Sequence, residues 1–164
     1  GLAAGGQDLL LDGFIRQARD HTIYAWEHDG YAAQVDSTDA YFKASMEVLQ
    51  PKIWKELFMG NRLIFTKVKD EVPVQYKKTA KVKNSLIANG CVIRGEVENS
   101  ILFRGVHVGE GVKIKNSIIM QKGSIEDGAV VENVIADKDV VITEDKWLKG
   151  APNYPLIIKK NVVI

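Results

Sequence analysis

Between a β-branched, aromatic run (residues 21–29, HTIYAWEHD) and a helical run that starts near Asp39 lies GYAAQVDSTD, residues 30–39. Strand-to-helix junctions are where α/β enzymes place metal-holding carboxylates and phosphate-binding amides. Here Asp36 and Asp39 would supply carboxylates. Other reactive groups are scattered. His21 and His28 flank the first run without a cysteine or a third spaced histidine, so no zinc set is expected. His107 precedes an aliphatic position and should point outward; the plain reading is solvated surface, the functional one a general base. Cys91 falls where a small core residue is wanted and reads as buried and inert. Lys67, Lys69, Lys77 and Lys78, followed by Lys81 and Lys83, crowd one region. They read either as a solvated surface or as an anionic-effector patch, since ammonium groups serve phosphates as point charges. No nucleophile elbow, H-E-x-x-H or Walker loop occurs, and Ala4-Gly5-Gly6-Gln7 lacks the further glycine and basic residue of a nucleotide loop.

The elements that must position these groups fall into two parts. The 164 residues, 46% hydrophobic and 26% charged with net charge +1, describe a globular chain with interspersed charges and no nucleic-acid footprint. No apolar run approaches the ~18 residues of a membrane span, and one cysteine fits a reducing cytosol, so a cytoplasmic protein is expected. The first residue is Gly and a helical pattern follows Asp8 almost at once, as expected of a piece of a longer protein. Residues 1–70 read as mixed α/β: a helix after Asp8, a strand at 21–29, a helix from Asp39 with Tyr41, Phe42, Ser45, Met46 and Leu49 along one side, and a second helix opened by Pro51. One strand cannot make a sheet, so this reads as the end of a larger domain.

Residues 71–164 change period. Asn84, Asn99, Asn116 and Asn133 recur at spacings of 15, 17 and 17, each inside an aliphatic-flanked segment. Anchors step by five, six and six: Val97, Leu102, Val108, Ile114, then Ile114, Ile119, Ile125, Val131. With Val82, Ile87, Ile93 and Ile142 they make the expected core. One anchor per hexad means one short strand and one corner, three per coil, with coils stacked into a prism. The spacing predicts a mainly β fold, a left-handed parallel β-helix of about four coils, too regular to carry a long loop. Asn at one phase should stack at a corner and tolerate left-handed backbone. A β-sandwich alternates at period two and has no reason for this phasing.

The run KVKNSLIANGCVIRGEVENSILFRGVHVGEGVKIKNSIIM, with HDGYAAQVDSTDAYFKASMEVL before it, resembles the C-terminal part of bacterial glucose-1-phosphate adenylyltransferases (ADP-glucose pyrophosphorylases). The family pattern is approximately F-D-G-Y-W-x-D-I-G-T, whose acid after the aromatic pair holds Mg²⁺ against nucleotide and sugar phosphates. Gly30 and Tyr31 match. Gln34 stands in place of the metal-binding acid, and Asp36 and Ser37 replace Gly-Thr. A neutral amide offsets ion dehydration poorly, and phosphoryl transfer depends on metal electrostatics. The resemblance therefore implies a GlgD-type, non-catalytic subunit of glycogen biosynthesis, with a degenerate site at Gly30, Tyr31, Gln34 and Asp36. It implies no catalytic residue, metal or cofactor in this chain, although catalytic members use Mg²⁺. It further implies a homo-oligomer, or a hetero-oligomer with a catalytic subunit, in which the β-helix serves assembly and allosteric coupling. The alternatives are a fragment of a catalytically active nucleotidyltransferase of the same family and a hexapeptide-repeat acyltransferase using His107.

Overall fold

The computed structural model describes residues 9–16, 18, 20–60, 64 and 68–164. They belong to two compact units, Gly1–Gly30 and Tyr31–Ile164. In the first, Leu9–Ile15 is a π-helix, with the Arg16 N–H bonded to the Leu11 carbonyl at 3.0 Å. The expected cap, Asp8, and Gln17 lie outside the described residues, as does Lys67. The strand expected at 21–29 is not formed; these residues are irregular and exposed, Trp26 to 90%. A strand exists only by pairing, and among the described residues no strand pairs with this segment.

The second unit opens with two helices, α1 (Thr38–Glu47) and α2 (Pro51–Phe58). Ser37 caps α1, its hydroxyl accepting the Ala40 N–H at 3.1 Å, and Pro51 takes the first position of α2. The β-helix follows in five coils. They are β1 (Gln75–Tyr76), β2 (Lys81–Lys83) and β3 (Leu86–Ile87); β4 (Val92–Ile93), β5 (Glu96–Glu98) and β6 (Ile101–Leu102); β7 (His107–Val108), β8 (Lys113–Lys115) and β9 (Ile118–Ile119); β10 (Ser124–Ile125), β11 (Val130–Glu132) and β12 (Val134–Ala136); β13 (Val141–Ile142), β14 (Trp147–Lys149) and β15 (Leu156–Ile158). Each face is a parallel five-stranded sheet: β1-β4-β7-β10-β13, β2-β5-β8-β11-β14 and β3-β6-β9-β12-β15. The count exceeds the expected four because the last coil is stretched by an excursion, residues 150–155, that breaks the hexad spacing. That excursion also departs from the expected regularity.

Anchors from Ile93 to Ile142 are buried to 2% exposure or less. Val82 is not a core residue, being 37% exposed, and Ile87 is only half-buried. Both sit in the first coil, which has a neighbouring coil on one side only. Asn84, Asn99, Asn116 and Asn133 all have left-handed backbone (φ 43 to 53). Their amides ladder: Asn84 donates to Asn99 at 2.9 Å and Asn99 to Asn116 at 2.7 Å, while Asn133 donates to the Gly150 carbonyl at 3.1 Å. A serine ladder runs beside it. Ser85, Ser100 and Ser117 each donate to the carbonyl two residues back and accept the backbone N–H of Ser100, Ser117 and Val134 respectively at 3.1 Å. At Gly95 the coils approach so closely that a Cβ would lie 2.6 Å from the Val112 carbonyl oxygen.

Helix α1 lies against the third face. Phe42 packs with Ile118 and Ile135, flanked by Tyr41, Met46, Phe103 and Met120. The helix read as the end of an α/β domain thus shares one compact unit with the β-helix.

Candidate functional site

In GYAAQVDSTD, Gly30 closes the first unit; Tyr31, Gln34 and Asp36 belong to the second. Tyr31 fastens the junction to both helices. Its N–H donates to Glu56 at 2.5 Å and its hydroxyl to Glu47 at 2.9 Å. Burial, then the Glu47 hydrogen bond and charge, push this phenol above its usual range. The exposed Gln34 amide donates to the Asp36 carboxylate at 2.9 Å. Mg²⁺ does not fit this donor set, because Gln34 brings no charge and its N–H partly satisfies the one carboxylate beside it. Among the described residues no group of three His, Cys, Asp or Glu side chains is gathered.

The lysine cluster separates. Lys69 pairs with Glu71 at 3.5 Å, Lys77 donates to Gln75 at 2.8 Å, and Lys78 is exposed. Lys69 lines a groove of about 510 Å³ at the corner between the third and first faces, together with Arg104, His107, Lys122 and Lys138; Lys77 and Lys78 do not. Four full cations there face two carboxylates, Glu71 and Asp139. Lys122 (φ 58) holds left-handed backbone where the preceding coils have Gly90 and Gly105, a geometry that costs a side chain energy. Arg104, Lys122 and Lys138 were not singled out in the sequence. Their common signal is a turn position repeated from coil to coil.

Lys81 and Lys83 belong instead to a charged ladder on the second face. In register across it run Lys83, Glu98, Lys115, Glu132 and Lys149, and beside them Lys81, Glu96 and Lys113. Ion pairs join Lys81 to Glu96 (2.6 Å), Lys83 to Glu98 (3.3 Å) and Lys149 to Glu132 (2.9 Å). Hydrogen bonding and charge from Lys81 hold Glu96 below the usual 4.5 and raise Lys81 in turn. A depressed carboxylate contributes stability above its unfolded pKa and loses it as pH falls through the folded value. We expect NMR titration to find the Glu96 midpoint below 4.5, moving up toward it in Lys81→Met. About 1 M salt should move it the same way.

His107 points outward from the first face, exposed, with its Nδ1 3.1 Å from the Gly105 carbonyl. Cys91 is fully buried, its thiol 3.0 Å from the Phe103 carbonyl, and burial pushes its pKa up. It takes the buried core position expected of it.

Stacked hexads with one aliphatic anchor per strand define a hexapeptide-repeat β-helix protein, and the family model for GlmU-like C-terminal hexapeptide matches residues 70–148. The chain is 46% identical over 158 residues to Glycogen biosynthesis protein GlgD of Bacillus subtilis, covering 96% of this chain and 46% of that protein. It is 49% identical over 120 residues to Glycogen biosynthesis protein GlgD of Geobacillus stearothermophilus (73% of this chain, 35% of that one). Glucose-1-phosphate adenylyltransferase of Desulfitobacterium hafniense (strain Y51) is 32% identical over 133 residues (81% and 33%). Over most of its own length the chain is thus homologous to GlgD and to glucose-1-phosphate adenylyltransferases, and it spans less than half the length of these relatives. Among the described residues no helix is long and apolar enough to cross a membrane.

Proposed function

We propose that this chain is part of a GlgD-type companion subunit in glycogen biosynthesis. It assists a catalytic partner that converts ATP and glucose 1-phosphate to ADP-glucose and pyrophosphate, and has no turnover of its own. The observation that carries this is Gln34, an amide bonded to Asp36 where the family resemblance calls for a metal-binding acid. The β-helix serves assembly, and the groove of Lys69, Arg104, Lys122 and Lys138 is its place for an anionic effector, taking over the role expected of Lys67, Lys69, Lys77 and Lys78. Arg104, Lys122 and Lys138 stand on the chain turns of successive coils, so an anion held there would bridge neighbouring rungs.

The lost-ligand reading is tested in the full-length protein carrying this chain. A Gln34→Asp variant should bind ATP in a Mg²⁺-dependent way roughly tenfold or more tightly than the parent. Equal binding by parent and variant counts against it.

A further inference from the structure

Helix α1, the segment before it and the third face line a second groove, open to solvent, of about 510 Å³, within the range of small-ligand sites. Its chemistry is opposite to that of the cationic corner. The floor is aliphatic, formed by Met120, Ile135 and Ile157, and Tyr41 makes one wall. The rim carries Asp36, Thr38 and Asp137, and no Lys or Arg lines it. Phosphate esters are therefore disfavoured, since the two carboxylates repel their charge and no Lys or Arg offsets it. Each carboxylate already accepts one hydrogen bond: Asp36 from the Gln34 amide at 2.9 Å, Asp137 from the Lys138 N–H at 2.7 Å. The second oxygen of each is left to accept from a ligand hydroxyl. Ile157 is 51% exposed and Val35 57%, apolar surface that no described side chain covers. Tyr41 is half-buried and presents a neutral phenol, whose pKa burial and the Asp137 charge raise further against an opposing hydrogen bond with Ser45.

An apolar floor beneath a cation-free rim of acceptors suits a sugar ring, whose C–H face lies on aliphatic side chains while its hydroxyls donate to carboxylates. We infer that the groove lined by Tyr41, Met120, Asp137 and Ile157 binds a neutral oligosaccharide, an α-1,4-glucan segment. The groove chemistry selects the neutral sugar; the choice of an α-glucan rests on the proposed role in glycogen synthesis. A glucan held there would keep the companion subunit beside the polymer whose precursor its partner makes.

The test is methyl NMR of the full-length protein carrying this chain during titration with maltoheptaose, with glucose 1-phosphate and spermine as parallel probes. Maltoheptaose should produce saturable shifts at Met120, Ile135 and Ile157, with a dissociation constant of roughly millimolar order. In Ile157→Glu and in Asp137→Ala the affinity should fall about tenfold or more, and an unchanged amide spectrum elsewhere shows that each variant is folded. Ile157 is exposed, so the first variant keeps the test open if the second unfolds. No saturable shift, shifts confined to other residues, equal affinity in a folded variant, or a response to glucose 1-phosphate or spermine in place of maltoheptaose would each overturn the assignment. Activation of a catalytic partner is measured separately. Failed glucan binding with activation intact sinks this inference alone, and the reverse outcome sinks the companion role alone.

Discussion

Replacing Ile114 by Ala should lower the stability of the β-helix by about 2–5 kcal/mol, the cost of a buried aliphatic truncation. Ile114 is 1% exposed and lies in register between Val97 and Val131, themselves buried to 1% or less. Its side chain fills the middle of the stack, where coils on both sides are fixed by parallel pairing and cannot collapse into the space left. Because each coil touches only its neighbours, a defect at the third coil weakens both halves of the array. Chemical denaturation of Ile114→Ala beside Val82→Ala separates this account from a merely regular pattern. Val82 occupies the same face but ends the stack at 37% exposure, so its truncation should cost under about 1 kcal/mol. Equal losses at the two positions would contradict the assigned coil order.

The second large effect is expected at Ser117. Its hydroxyl donates to the Lys115 carbonyl at 2.7 Å and accepts the Val134 N–H at 3.1 Å, and the residue is fully buried. Ser117→Ala removes the acceptor and leaves a buried N–H unpaired, which costs about 1–3 kcal/mol. Ser85 makes the same contact in the first coil, at the end of the stack, where it is partly exposed. The N–H left behind belongs to the buried Ser100, but the half-exposed Ser85 is what covers it, so its truncation admits water and Ser85→Ala should cost distinctly less in the same denaturation experiment. Hydrogen exchange at the Val134 amide reads the contact directly: protection should fall in Ser117→Ala and stay unchanged in Ser85→Ala.

The sequence pattern makes the interior of the β-helix legible and its ends illegible. Anchors from Ile93 to Ile142 follow from hexad phase alone, and the Asn positions carry the left-handed corners they imply. A periodic pattern has no edges, however, so it places Val82 in the core where the structure leaves it half open. The run HTIYAWEHD has strand composition, yet strand formation depends on a partner that composition cannot supply. Helices α1 and α2 were legible because the spacing of Tyr41, Phe42, Met46 and Leu49 and the placement of Pro51 are local signals; the Ser37 cap emerges only from the structure.

The candidate sites divide in the same way. Gln34 has meaning only against a family pattern; its own contact, one amide to Asp36, is unremarkable chemistry. Arg104, Lys122 and Lys138 stand in turns that the hexad rule leaves free, and only stacking brings them beside Lys69. Asp36 and Asp137, about a hundred positions apart in sequence, meet across one groove because α1 docks on the third face. Apolar docking of Phe42 on Ile118 and Ile135 is thus what creates that groove, a tertiary event no local pattern announces.

The central claim is that this chain belongs to a subunit that assists turnover without performing it. The most direct measurement is ADP-glucose formation from ATP, glucose 1-phosphate and Mg²⁺ by the full-length protein carrying this chain, alone and mixed with a catalytic partner of the same family. The account predicts no conversion by the protein alone and a raised rate for the mixture over the partner by itself. Robust conversion by the protein alone, or a partner rate indifferent to its presence, would contradict it.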